Sequence, residues 1–262
     1  GTTTIGASFT VTGGTFVMPG AGLNFISTTT GNTVRLNAVT VPGLRFAGTG
    51  GAWSMSDTHA TTTGAFTVTA GTVTLPSGNL AVGRNFENLG GTLVHNNAKL
   101  IMTATTSATL VASSSSLYSV KFTGAGPFTM SDVNLTLLDS LTLATGTLTL
   151  ATGTLSVGGD FLIATGTVNH ASGTVLLNAS ATGKVVSFGT NALYNVVVGS
   201  GSGGWTFLGN ATTTNNFSIT GASSFVKEVG TTLNLGGVFS NTVGGANTTW
   251  TNTTLRLYGT SA

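Results

Sequence analysis

The chain has 262 residues, of which 39 are glycine, none is cysteine and 5% are charged, for a formal net charge of +2. Ordinary soluble domains carry roughly 25% charged residues, so this surface is kept wet by hydroxyls and amides, and threonine alone makes up about a fifth of the chain. Eight scattered basic residues against six acids form no patch of the kind that holds nucleic acid, no apolar run is long enough to span a membrane, and without cysteine there is no disulfide framework and no pointer to the redox compartment.

Residues 1–40 read as a partial repeat. "SFTVTGGTFVMPGAGLNF" from Ser8 and "NTVRLNA" from Asn32 are short alternating stretches broken by glycine, the mark of brief strands and tight turns. A start at Gly1 rather than Met is the expectation for a matured or excised product. Residues 41–113 form a fuller copy containing "AFTVTAGTVTLPSGNLAVGRNF" from Ala65. Residues 114–188 hold the plainest one, "SLTLATGTLTLATGTLSVGGDF" from Ser140, in which Leu141, Leu143, Leu148, Leu150, Leu155 and Val157 alternate with threonine or serine. A spacing of two puts each apolar pair on one face of a strand, the branched threonines favour a pleated backbone, and glycine supplies the bends. Residues 189–262 repeat the pattern in "NFSITGASSFVKEVGTTLNLGGVF" from Asn216 and stop partway through a copy in "NTTLRLYGTSA" from Asn252.

The period is long. Phe66, Leu141 and Phe217 correspond at nearly equal intervals, and the interval between "LYSVKF" from Leu117 and "LYNVVV" from Leu193 agrees with them. Self-similarity at fixed period means stacked supersecondary units. The predicted fold is therefore all-β, a β-solenoid (parallel β-helix) of roughly 75-residue repeats running as one array over 1–262, each repeat making three or four turns of about 18–25 residues. Tandem β-sandwich modules are the alternative.

The phrases "GTLTLATGTLSVGGDF", "GTVLLNASATGKVVSFGTNALYNVVV" and "TTLNLGGVFSNT" resemble the strand repeats of large bacterial cell-surface proteins, including autotransporter passengers and filamentous-haemagglutinin-like β-helices. That resemblance implies an extracellular or cell-surface location and a structural or adhesive role. It carries over no binding residue.

Phe86, Phe161 and Phe239 close corresponding blocks, and Phe46 matches Phe122; the expectation is stacked rings inside the coil. Trp53, Phe128 and Trp205 sit at equivalent places, read as core, with an exposed glycan platform as the rival. The acids are too sparse for a polysaccharide-active site, which needs grouped carboxylates; Asp57 and Asp132, in matching "MSD" stretches, read as turn-forming residues. His59, His95 and His170 stand at no metal-ligand spacing, and "SGSGGW" from Ser200 lacks the lysine and helix of a phosphate loop. No enzyme activity, metal or cofactor is expected. Thr-x-Thr pairs at Thr10, Thr67, Thr72 and Thr147 resemble the rows of ice-binding solenoids, a regularity that "FSITGASSFVKEVG" from Phe217 breaks. Asn134, Asn178, Asn210, Asn216, Asn247 and Asn252 each open a sequon and are candidate glycan acceptors.

A coil that stops mid-repeat leaves strand edges open to pairing. The expected partners are copies of the chain joined head to tail, through Ile5 and Phe9 at one end and Leu255, Leu257 and Tyr258 at the other, or flanking repeats of a longer chain. The expected function is a building block of an extracellular filament, stalk or surface fibre.

Overall fold

A computed structural model describes residues 1–14, 16–18, 20–199 and 203–259. Among these there is no α-helix; one 3-10 turn, Gly245–Asn247, interrupts a succession of short strands. The chain forms two compact units, Gly1–Asp132 and Val133–Ala262.

In the first unit the chain visits three parallel sheets in rotation. One contains Leu23–Phe25, Leu44–Phe46, Phe66–Val68 and Phe86–Asn88; the next contains Asn32–Arg35, Ala52–Met55, Thr72–Thr74 and Thr92–Val94; the third contains His59–Thr62, Asn79–Val82, Lys99–Met102 and Ser119–Phe122. Parallel neighbours need a crossover of a dozen or more residues, and here the other two sides of the coil serve as that crossover. Turn length is not constant: one turn carries the chain from Phe66 to Phe86, a longer one from Leu44 to Phe66 and a longer one still from Phe86 to Leu110.

The second unit is built the same way. Leu135–Leu137, Thr154–Val157, Thr174–Leu177, Asn195–Val198 and Phe217–Ile219 share one sheet, and Gly204–Leu208 lies between Lys184–Ser187 and Ser224–Lys227 in another. On the third side Ala211–Thr213, Thr232–Leu235 and Thr254–Leu257 pair in order. The fold is a β-solenoid, as the alternation of single apolar residues with threonine implied.

Strands this short place one or two side chains inward. These build the interior: Phe25, Phe46, Phe66, Phe86, Phe122 and Phe161 are fully buried, as are the aliphatic residues Leu141, Leu143, Leu148 and Val157. At corners the coils approach through bare backbone. A Cβ added at Gly124 would lie 1.9 Å from the carbonyl oxygen of Ala104 in the coil before, so the residue there must be glycine.

The sequence period is not a whole number of turns. In the first unit Phe46 stacks on Phe25 (4.8 Å between centroids) and packs against Phe66 (5.6 Å), whereas its sequence counterpart Phe122 lies in a different sheet beside Met102 and touches Phe128. In the second unit the counterparts Leu141 and Phe217 likewise occupy different sheets, as do Phe161 and Phe239. Turns here range from the short step between Leu135 and Leu155 to the long one between Phe161 and Val186, so a shift by one sequence block ends on another side of the coil. Phe46, Phe86 and Phe239 stack at the spacing of one turn, on Phe25, Phe66 and Phe217, whereas Phe122 is tilted against Phe128 and Phe161 meets Phe188 edge-on. Phe239 is only half-buried, lying over Phe217 and against Trp250.

Candidate functional site

Polar side chains concentrate at the corners, where the ladder of backbone hydrogen bonds breaks and orphaned amides need an acceptor. At three corners of the first unit the chain makes a pair of left-handed residues, Asn37–Ala38, Asn96–Asn97 and Ser113–Ser114. A carboxylate from the following turn caps the first and the third. Asp57 accepts the N–H groups of Leu36 (2.5 Å) and Asn37 (2.9 Å); Asp132 accepts those of Ala112 (2.6 Å) and Ser113 (2.9 Å). The two aspartates therefore bind a neighbouring turn rather than shape their own, which single-sequence spacing does not reveal. Asn88, fully buried, works similarly, donating to the carbonyls of Gly91 and Ala112 and accepting from Gly91 N–H.

Three sequon asparagines take part in this bracing. Asn134 Oδ1 accepts Thr154 N–H (2.8 Å), Asn210 Oδ1 accepts Thr232 N–H (2.9 Å) and Asn216 Oδ1 accepts Val238 N–H (2.9 Å). Asn178 borders a shallow cleft with Leu138 and Gly158, Asn247 closes the exposed 3-10 turn, and Asn252 is exposed with a left-handed backbone.

Trp53, Phe128 and Trp205 are each 1% exposed, which removes them as a surface platform. The indole N–H groups of Trp53 and Trp205 have no hydrogen-bond partner among the described residues. Half-buried aromatic pairs lie elsewhere: His95 stacks on Tyr118 (5.8 Å) and His170 on Tyr194 (5.4 Å). In both, Nδ1 accepts the N–H two residues on, from Asn97 and Ser172. His59 Nδ1 accepts Asn79 N–H. Among the described residues no three His, Cys, Asp or Glu side chains group to hold a metal. Within "SGSGGW", residues 200–202 lie outside the described residues.

Threonine rows are short. Thr72 has Thr92 beside it, and Thr74 follows Ser54 and Thr33; Thr147 pairs with Thr167, but Thr149 faces Asn169. Thr67 stands between Arg45 and Glu87, and Thr10 beside Arg35.

The ends carry the predicted contact residues. Ile5, half-buried, is in register with Phe25, and Phe9, half-buried, meets Phe16 and Phe25 edge-on. At the other end Thr254–Leu257 pairs on one side with Thr232–Leu235, and among the described residues no strand lies on its other side. Leu255 and Leu257 are in register with Leu233 and Leu235. The inner pair is 1% and 0% exposed, the outer pair 40% and 64%. These outer leucines hold interior positions that open on solvent. Tyr258 is 45% exposed and its hydroxyl donates to Thr213 O, two turns back.

No protein-family model matches the chain, and neither a curated protein nor a solved structure does so. The class rests on the fold: a parallel β-solenoid repeat protein.

Proposed function

We propose that this chain is a structural building block of an extracellular filament or surface fibre, extended by strand pairing between copies. The observation that carries the reading is the open edge of Thr254–Leu257, where Leu255 and Leu257 continue the interior columns of Leu233 and Leu235 and no described strand covers them. A strand edge with apolar side chains in core positions is a template for another strand, from a second copy or from flanking repeats of a longer chain, and between copies a heterologous contact of that kind propagates when its rotation does not close. The nearly uncharged, hydroxyl-rich surface and the resemblance to bacterial surface repeats support an extracellular setting. Sedimentation and electron microscopy of the parent and of Leu255→Lys/Leu257→Lys test the reading. The parent is expected to form end-to-end rods that the charged pair prevents, with circular dichroism unchanged. A parent that stays monomeric, or a variant that assembles like it, overturns the reading.

A further inference from the structure

In the last full copy, one interior position breaks the apolar rule. The stretch "SFVKEVG" from Ser224 runs parallel to "TVTLPSG" from Thr72 and "TLTLATG" from Thr147, so Lys227 stands where those copies have Leu75 and Leu150. Both leucines point inward, at 1% and 2% exposure, and so does Lys227, at 1% and in register with Phe207. A lysine in an interior column is costly unless its ammonium is satisfied, and a local rule broken this way marks a place where something besides stability is served.

Its head crosses to a corner of the preceding turn. Nζ donates to the carbonyl of Gly209 (2.5 Å) and to Thr231 Oγ1, while the carboxylate of the adjacent Glu228, itself exposed, accepts the N–H of the same Gly209 (2.5 Å). Gly209 is left-handed, with φ 62°. Two opposite charges, adjacent in sequence, thus grip both backbone polar groups of a single corner residue in the neighbouring turn. The corners after Leu75 and Leu150 are held differently, with Gly78 N–H donating to Thr58 O and Gly153 N–H to Val133 O.

We propose that Lys227 and Glu228 form an acid-released latch, which holds the turn around Gly209 closed while Glu228 is ionised and lets it open locally when that carboxyl is protonated. Protonation removes the charged acceptor of Gly209 N–H and the counter-charge beside the buried ammonium in one step. Burial already disfavours the charged lysine, and Glu228 opposes that tendency. The turns packed on this corner, 203–213 and 248–257, carry one other charged side chain between them, Arg256, which is in register with Asn234, so Glu228 is the group whose charge sets the latch.

The test is residue-level amide exchange on the full chain, with Glu228→Gln as a mimic of the protonated latch. Glutamine keeps a neutral acceptor but loses the charge that strengthens the bond, so Gly209 N–H in Glu228→Gln at pH 7 is expected to exchange roughly tenfold faster than in the parent. The amides of Gly78 and Gly153 should be unchanged. The parent at pH 3 should match the variant at Gly209 once intrinsic rates are divided out. Equal exchange of Gly209 in parent and variant at pH 7 overturns the latch, as does acceleration spread evenly over Gly78, Gly153 and Gly209, which reports general loosening.

Discussion

The ring of Phe66 lies flat on that of Phe86, 5.2 Å between centroids and 6° between planes, one turn of the coil apart. Parallel pairing in register forces this, since identical inward positions of adjacent turns sit at the strand spacing of about 4.8 Å. Both rings are fully buried. Phe66→Ala is expected to cost about 3–5 kcal/mol, as is Phe161→Ala, read from the midpoint of chemical denaturation. A variant that melts like the parent would show the interior to be loosely packed.

Trp53→Phe and Trp205→Phe carry the opposite expectation. Each tryptophan buries an N–H without an acceptor among the described residues, a defect costing about 1–3 kcal/mol. Phe128 already stands at the corresponding point of the middle copy. Removing the donor offsets the lost ring volume, and stability should stay within about 1 kcal/mol of the parent. A loss as large as that of Phe66→Ala would mean that the indoles are bonded.

Asp57→Ala deletes both acceptors of the Leu36 and Asn37 amides. Hydrogen bonds to charged groups contribute about 1.5–3 kcal/mol each, discounted here because the corner is partly wet, so a loss of about 2 kcal/mol is expected. Amide exchange at Asn37 should accelerate while that at Ser113, capped by Asp132, stays put. Uniform acceleration would assign the effect to the whole unit.

Glycine corners separate into two kinds. Gly124→Ala drives a methyl into the Ala104 carbonyl and should destabilise by about 1–3 kcal/mol. Gly13→Ala meets nothing within 4 Å and should change stability by less than about 0.5 kcal/mol. Thermal melts of the two variants compare them directly.

Lys227→Met tests the buried ammonium through pH. Burial holds the folded lysine below its ordinary value of 10.5, so between those two values the unfolded chain binds more protons than the folded one. Parent stability must then rise with pH through that window and gain nothing from this residue below it. Lys227→Met lacks the group, so the stability difference between parent and variant should shift in the parent's favour from pH 7 to pH 10. A constant difference would place the ammonium in water.

The coil and its inward faces were legible because strand alternation survives in a chain with almost no helix-forming stretches: Leu141, Leu143, Leu148 and Leu150 face inward as their spacing of two requires. The stacking partners were not. Phe46 and Phe122 look alike because a long block recurs, yet contact depends on the length of one turn, which changes with the corners: Phe66 reaches Phe86 by a short path and Phe161 reaches Val186 by a longer one. The corner acceptors were hidden for the same reason. Asp57 acts on Leu36, 21 residues upstream, and no local pattern records a partner at that distance. Lys227 read as a break in a threonine row; only its register with Phe207 shows it entering the interior.

Because the repeated block and the turn are incommensurate, Leu141 and its counterpart Phe217 enter the interior from different sides of the same unit. Copying the block cannot thicken a patch on one side. A residue at one position of the block therefore meets different neighbours from copy to copy, and the same position holds leucine in one wall and phenylalanine in another.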